Sequence, residues 1–192
     1  MIIGIRKACL SSVLCLSMNL TGVLGAADSG VVLLYHHVDT TTPPSTSISP
    51  EEFRAHLDYF EENEFAVIQL DEMVQHLRTR TALPERAVAI TFDDGYSSIY
   101  ETAFPLLVEY DMPFTLFLST EPLNNRQKNY MNWEQVRELS EAGALIANHL
   151  VSHPYMLSRD IHETDVSWLE RQRSELLEAE ATILKETGQS HR

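Results

Sequence analysis

The sequence predicts an α/β fold built on a largely parallel sheet, and two observations carry that expectation. Short apolar runs of strand length alternate with segments whose apolar residues fall at helical spacing, the order that βα units produce. Three of the runs also end in polar clusters: His36-His37, Asp93-Asp94, and His149 with His153. Parallel α/β folds gather functional groups at the C-terminal ends of their strands, because the βα loops converge on that face.

Residues 1–27 precede this pattern. Arg6 and Lys7 are followed by an apolar run through Leu24 and by the small residues Gly25, Ala26 and Ala27, the three-part layout of a secretory signal peptide. Ser11, Ser12, Ser17, Asn19 and Thr21 interrupt the run, which makes it a poor span beside the ~20 apolar residues that a bilayer needs. Membrane association is therefore expected only if the segment is retained. Cleavage would start the mature chain near Asp28 and leave one domain, residues 28–192, secreted or held in the periplasm or cell envelope. Cys9 and Cys15 would leave with the leader, so the mature fold must rest on core packing without disulfides.

Charge narrows the partners. Without Arg6 and Lys7 the chain has 12 Lys and Arg against 28 Asp and Glu, a net of −16. Nucleic acid is excluded as a partner on this reading, since binding phosphates needs a basic face. The simplest use of the acidic excess is a solvated surface.

Val31 to Tyr35 is a continuous apolar run that reads as a strand buried on both faces. The Thr-, Pro- and Ser-rich stretch from Asp39 to Ser49 reads as a loop. Ser49-Pro50-Glu51-Glu52 then starts a helix, with Ser49 as N-cap, Pro50 in the first turn and acids at the positive end of the dipole. Phe53, Leu57 and Phe60 continue it. Ala66 to Ile68 is a second strand, Leu70 to Leu77 a second helix and Ala87 to Phe92 a third strand. Helix-like sequence runs on to Tyr110, Phe114 to Leu118 is another buried strand, and Trp133 to Ala142 a helix stopped by Gly143. Ala144 to Ala147 forms one more strand, ending at Asn148-His149. The stretch from Glu163 to Lys185 is an amphipathic helix carrying Leu169, Leu176, Leu177 and Ile183.

The polar clusters carry the chemistry. Two adjacent carboxylates after a buried strand, Asp93 and Asp94, repel and are costly to desolvate unless a cation or donors compensate them. Gly95 lets the chain turn so that both can serve one site. Read alone, Asp-Asp-Gly is also a helix N-cap with a first-turn acid. His149 and His153 lie four residues apart, a spacing that brings both onto one metal in a helical turn or tight loop, while Pro154 argues against a long helix there. Two histidines and a carboxylate with an open position form a ligand set for catalytic zinc. Read alone, the histidine pair serves equally as surface or core residues.

Taken together the segments are more specific. Leu34-Tyr35-His36-His37, Thr91-Phe92-Asp93-Asp94-Gly95-Tyr96, Met131-Asn132-Trp133 and Asn148-His149 through His153-Pro154 resemble the polysaccharide deacetylases of carbohydrate esterase family 4, across nearly all of the mature chain. The resemblance implies a distorted (β/α) barrel and a metal-dependent removal of N-acetyl groups from an N-acetylglucosamine-containing polysaccharide. It implies Asp93 as general base and Asp94, His149 and His153 as ligands of a divalent metal, zinc before others. His36 resembles a residue near the family's site and reads as lining the substrate site or as packing; Tyr155, beside the ligand loop, reads as a groove-lining or a partly buried structural residue, and Trp133 as a packing residue at a helix start. Two departures matter. Leu150 stands where the family carries Ser or Thr, so altered order is expected in the ligand loop. The family's Arg/Pro-Tyr, Asp-Trp and late Leu-x-His segments do not follow His153, and neither His162 nor His191 has the right context. The resemblance therefore implies an incomplete barrel, no catalytic acid and impaired activity; the other reading is a non-catalytic metal- or glycan-binding fragment.

Overall fold

The computed structural model describes residues 26–190. Residues 1–25, which hold most of the expected leader with Cys9 and Cys15, and the final His191 and Arg192 lie outside the described residues. The chain forms β1 (Ala26–Ala27), β2 (Val31–Tyr35), β3 (His37–Val38), β4 (Ser47–Ile48), helix α1 (Pro50–Glu62), β5 (Ala66–Val67), α2 (Leu70–Thr79), β6 (Leu83–Pro84) and β7 (Ala87–Phe92). A π-helical turn, Ile99–Ala103, leads into α3 (Phe104–Glu109), followed by β8 (Phe114–Leu118), α4 (Thr120–Asn124), α5 (Trp133–Glu141), β9 (Leu145–Asn148) and α6 (Asp165–Thr187). The expected alternation of strand and helix is present, with α4 and the four short strands β1, β3, β4 and β6 that the sequence pattern did not announce. Among the described residues no helix is long and apolar enough to cross a membrane.

Strands β2, β7, β8 and β9 lie side by side in that order, all parallel, and β5 pairs with the first residues of β7. The sheet does not close among the described residues, so the architecture is an open arc of a distorted (β/α) barrel. β1 with β6 and β3 with β4 form two small separate ladders, the second inside the stretch expected to be a loop.

Alternation along the strands assigns the two faces. Ile90 and Phe92 of β7, Phe114, Leu116 and Leu118 of β8 and Ile146 of β9 turn to one side. There they pack on Phe53, Leu57 and Phe60 of α1, Leu107 of α3, and Val136 and Leu139 of α5. Helix α1 begins as expected: Ser49 Oγ accepts from Glu52 N at 3.1 Å, and the Glu52 carboxylate accepts from Ser49 N at 3.1 Å, a reciprocal box that satisfies two orphan donors. Ala87 and Ala89 turn to the opposite side against Met73 of α2 and Leu83 of β6.

The expectation that Val31 to Tyr35 is buried on both faces is wrong. Val31 is 55% exposed and Leu34 57%, with Val32 close behind. The strand is an edge of the sheet, and only Leu33 and Tyr35, in register with Ile90 and Phe92, reach the helical layer. A continuous apolar run specifies hydrophobicity on both faces, but covering the second face needs another element, and the described residues supply none over Val32 and Leu34.

Candidate metal and catalytic site

The parallel register sets the site before any side chain does. Tyr35 pairs with Phe92, and Asp93 N–H donates to the Tyr35 carbonyl at 3.0 Å, so His36 and Asp93 leave adjacent strands at the same level. β8 and β9 end at the same rim: Leu118 pairs with Asn148, and His149 N–H donates to the Leu118 carbonyl at 3.0 Å. The four site segments thus meet at the C-terminal ends of neighbouring strands, where a parallel sheet leaves room for them.

The turn after β7 is tight. Asp94 has φ 73° and Gly95 φ 92°. A Cβ on Gly95 would lie 2.5 Å from Leu118 Cδ1, so both the conformation and the space require glycine. Tyr96 then stacks on the buried ring of His37 with centroids 3.7 Å apart, and on Tyr130 at 4.7 Å. His37 is therefore a packing residue behind the turn.

The second segment is a loop, as Pro154 implied. Leu150 at φ 71° and His153 at φ 53° both occupy the left-handed region, which costs a residue with a Cβ about 1–2 kcal/mol. Hydrogen bonds hold it there. Leu150 N–H donates to Asn148 Oδ1 at 2.8 Å, Ser119 Oγ–H to the His149 carbonyl at 3.0 Å, and Thr120 and Glu121 N–H to the carbonyls of Leu150 and Val151 at 3.2 and 2.9 Å. These bonds are made without a hydroxyl at position 150.

One ligand atom from each of Asp94, His149 and His153 lies within 4.8 Å of the others. Asp94 Oδ1 is 3.5 Å from His149 Nε2 and 3.8 Å from His153 Nε2, and His149 Nε2 is 3.8 Å from Asp93 Oδ2. These separations exceed the ~2.7–3.2 Å of a hydrogen bond. They approach the spacing of about 3.4 Å that two bonds of about 2.0–2.1 Å impose at a tetrahedral centre. His149 Nε2 is buried with no hydrogen-bond partner, a costly state for an imidazole nitrogen unless something else binds it. The donor set fits a divalent ion such as zinc.

The two carboxylates are pushed apart electrostatically. Burial raises Asp93, the imidazoles of His149 and His36 pull it back, and the net position is above the ordinary carboxylate range. Burial also acts on Asp94, but contacts with His149, His153 and Tyr96 outweigh it and hold Asp94 below that range. His149 is raised, chiefly by contact with Asp94 against the opposing effect of burial. One carboxylate is thus tuned to hold charge and its neighbour to take a proton.

This makes a pH prediction. A histidine raised in the fold contributes stability that is fully present below its unfolded pKa of ~6.5 and is lost as pH rises through the folded value. Metal binding needs neutral imidazoles and so runs the opposite way. From about pH 6 to about pH 8 the His149 contribution to the metal-free protein's melting temperature, read as the difference from His149→Ala, should fall, while the rise caused by added zinc should grow. Thermal melts at several pH values with and without zinc check this; a zinc effect independent of pH would count against imidazole ligands.

Comparison with known proteins then places the chain. The family model for polysaccharide deacetylases matches residues 80–192. The chain belongs to the polysaccharide deacetylase family. A putative polysaccharide deacetylase of Bacillus subtilis, YxkH, is 30% identical over 122 residues, covering 64% of this chain and 42% of the relative. A poly-β-1,6-N-acetyl-D-glucosamine N-deacetylase of Staphylococcus epidermidis is 27% identical over 133 residues, covering 60% and 46%. The chain thus spans less than half the length of these curated relatives. Among solved structures, IcaB from Ammonifex degensii superimposes with a TM-score of 0.72 at 26% identity, covering 87% of this chain and 73% of that one.

The structure brings Asp93, Asp94, His149 and His153 together, with His36 beside Asp93. Tyr155 is 72% exposed on the loop beyond His153. Trp133 is half-buried against the core and its indole N–H donates to Asn124 Oδ1 at 3.0 Å, the packing role expected of it.

Proposed function

We propose that this chain carries the zinc-dependent hydrolytic centre of a polysaccharide N-deacetylase acting on an N-acetylglucosamine polymer. The observation that supports it most is the pairing of a proton-accepting Asp93 with a buried, unbonded His149 Nε2 and a charge-holding Asp94. Asp94, His149 and His153 would hold the ion. When bound, it supplies Lewis acidity and lowers the pKa of water toward ~7.

The protein's own groups then have defined tasks. Asp93 takes one proton from the attacking water as its oxygen bonds to the acetamide carbon. Breaking the C–N bond releases an amine that needs a proton. His36 is the group this geometry offers: it leaves β2 level with Asp93 on the adjacent strand. The sequence offers it as a lining or packing residue and leads to the expectation of no catalytic acid in this chain. Tyr155, exposed two residues after His153, offers a ring against which a sugar can lie.

The leader-like residues 1–27 support a site of action outside the cytoplasm, where such polymers are found. The test is acetate release from an oligomer of β-1,6-linked N-acetylglucosamine, after chelation and after zinc is restored. Zinc-dependent release that falls about 10²–10⁴-fold in His36→Ala supports both the reaction and the donor. Tight zinc binding with no release by the unmodified chain favours the non-catalytic reading.

A further inference from the structure

The loop that carries His153 is held by α6, through one carboxylate. Glu175 Oε2 accepts from both Val151 N–H and Ser152 N–H at 2.9 Å, and Glu175 Oε1 accepts from Ser152 Oγ–H at 2.8 Å. The peptide between Val151 and Ser152 is thus gripped at three points from 23–24 residues away along the chain. Two neighbouring α6 contacts extend the same support, since Asn148 Nδ2–H donates to the Leu176 carbonyl at 2.8 Å and Trp168 Nε1–H to the Met156 carbonyl at 3.0 Å. The grip falls between Leu150 and His153, the loop's two residues with φ near +70° and +50°. The bonds on His149, Leu150 and Val151 fix the loop's entry, whereas its exit toward His153 depends on Ser152.

We infer that Glu175 is a positioning residue: it holds the Val151–Ser152 peptide so that the strained His153 presents Nε2 toward Asp94 and His149. The inference rests on the metal-site reading above. Its physical basis is the cost of releasing two N–H groups and a hydroxyl that all converge on one carboxylate. Once released, the loop has no reason to keep His153 in the left-handed region. Outer contacts of this type typically matter 10–100-fold in metal affinity.

Three variants of the full chain separate geometry from charge. Glu175→Ala removes the grip. Glu175→Gln keeps it without charge, because its carbonyl oxygen can accept both N–H groups while its amide donates to Ser152 Oγ. His149→Ala removes a ligand outright. Zinc affinity is measured by competition with a chromogenic chelator, and the visible absorption of the cobalt(II) form reports the coordination. Circular dichroism of each metal-free variant establishes that it is folded.

Glu175→Ala should weaken zinc about 10–100-fold and alter the cobalt spectrum, with Glu175→Gln within a few-fold of the unmodified protein. If Glu175→Gln loses as much as Glu175→Ala, the carboxylate acts through its charge and the positioning role is overturned. Unchanged affinity and spectrum in Glu175→Ala would overturn it too, provided His149→Ala binds weakly. If His149→Ala also binds normally, the metal-site reading itself has failed.

Discussion

Asp93→Asn is expected to reduce zinc-dependent acetate release by about 10²–10⁴-fold, the usual cost of losing a general base. The substitution is nearly isosteric, so the strand-end geometry should persist: Asp93 is fixed by its own N–H donating to the Tyr35 carbonyl at 3.0 Å, which Asn retains. Zinc affinity should change little, because the three residues whose ligand atoms converge are Asp94, His149 and His153, without Asp93. The proposed assignment of the base to Asp93 and not Asp94 follows the opposite directions in which their surroundings push them. Burial already favours its neutral form, whereas the two imidazoles keep Asp94 ionised. Rate measured against metal content is the discriminating experiment. If Asp93→Asn loses metal in step with activity, Asp93 is a ligand and the two carboxylates have exchanged roles.

His149→Ala should weaken zinc binding by more than about 100-fold, beyond the range of an outer contact. Of the two histidines it is the more enclosed, with a side chain 24% exposed against 58% for His153. It also joins the loop to the sheet: its ring lies 4.5 Å from that of His153 and 6.4 Å from Phe117 on β8. Truncation therefore removes a ligand and the packing that seats a second one, so His153→Ala should cost less. Calorimetric titration of the two variants gives the order directly, and equal losses would show that enclosure contributes nothing to ligand strength.

Activity assays of these variants need the unmodified chain as reference, because its match covers less than half of each curated relative. The expectation of impaired activity and the candidacy of His36 as proton donor make opposite forecasts for that reference. The size of the His36→Ala effect decides between them.

Sequence alone determined the local structure around the site and the types of residue within it. Apolar runs of strand length located β7, β8 and β9 within a residue or two, because a strand covered on both faces is apolar at most of its positions. Ser49-Pro50-Glu51-Glu52 located the start of α1, since a capping box depends only on residues three apart. Asp93-Asp94-Gly95 and the two histidines marked the candidate site only in combination, because each alone also reads as a helix cap or as surface or core histidines. The tertiary structure decided what depends on distant partners. It exposed Leu34, because an edge strand's second face is buried only if another element reaches it. It set His36 level with Asp93 through the register of β2 against β7, which no local pattern encodes. It placed Glu175 on the ligand loop across more than twenty residues, where one Glu among many on an acidic helix gives no periodic or motif signal. Propensity, capping and ligand type are properties of a few neighbouring residues, whereas burial, register and outer support are properties of the closed chain.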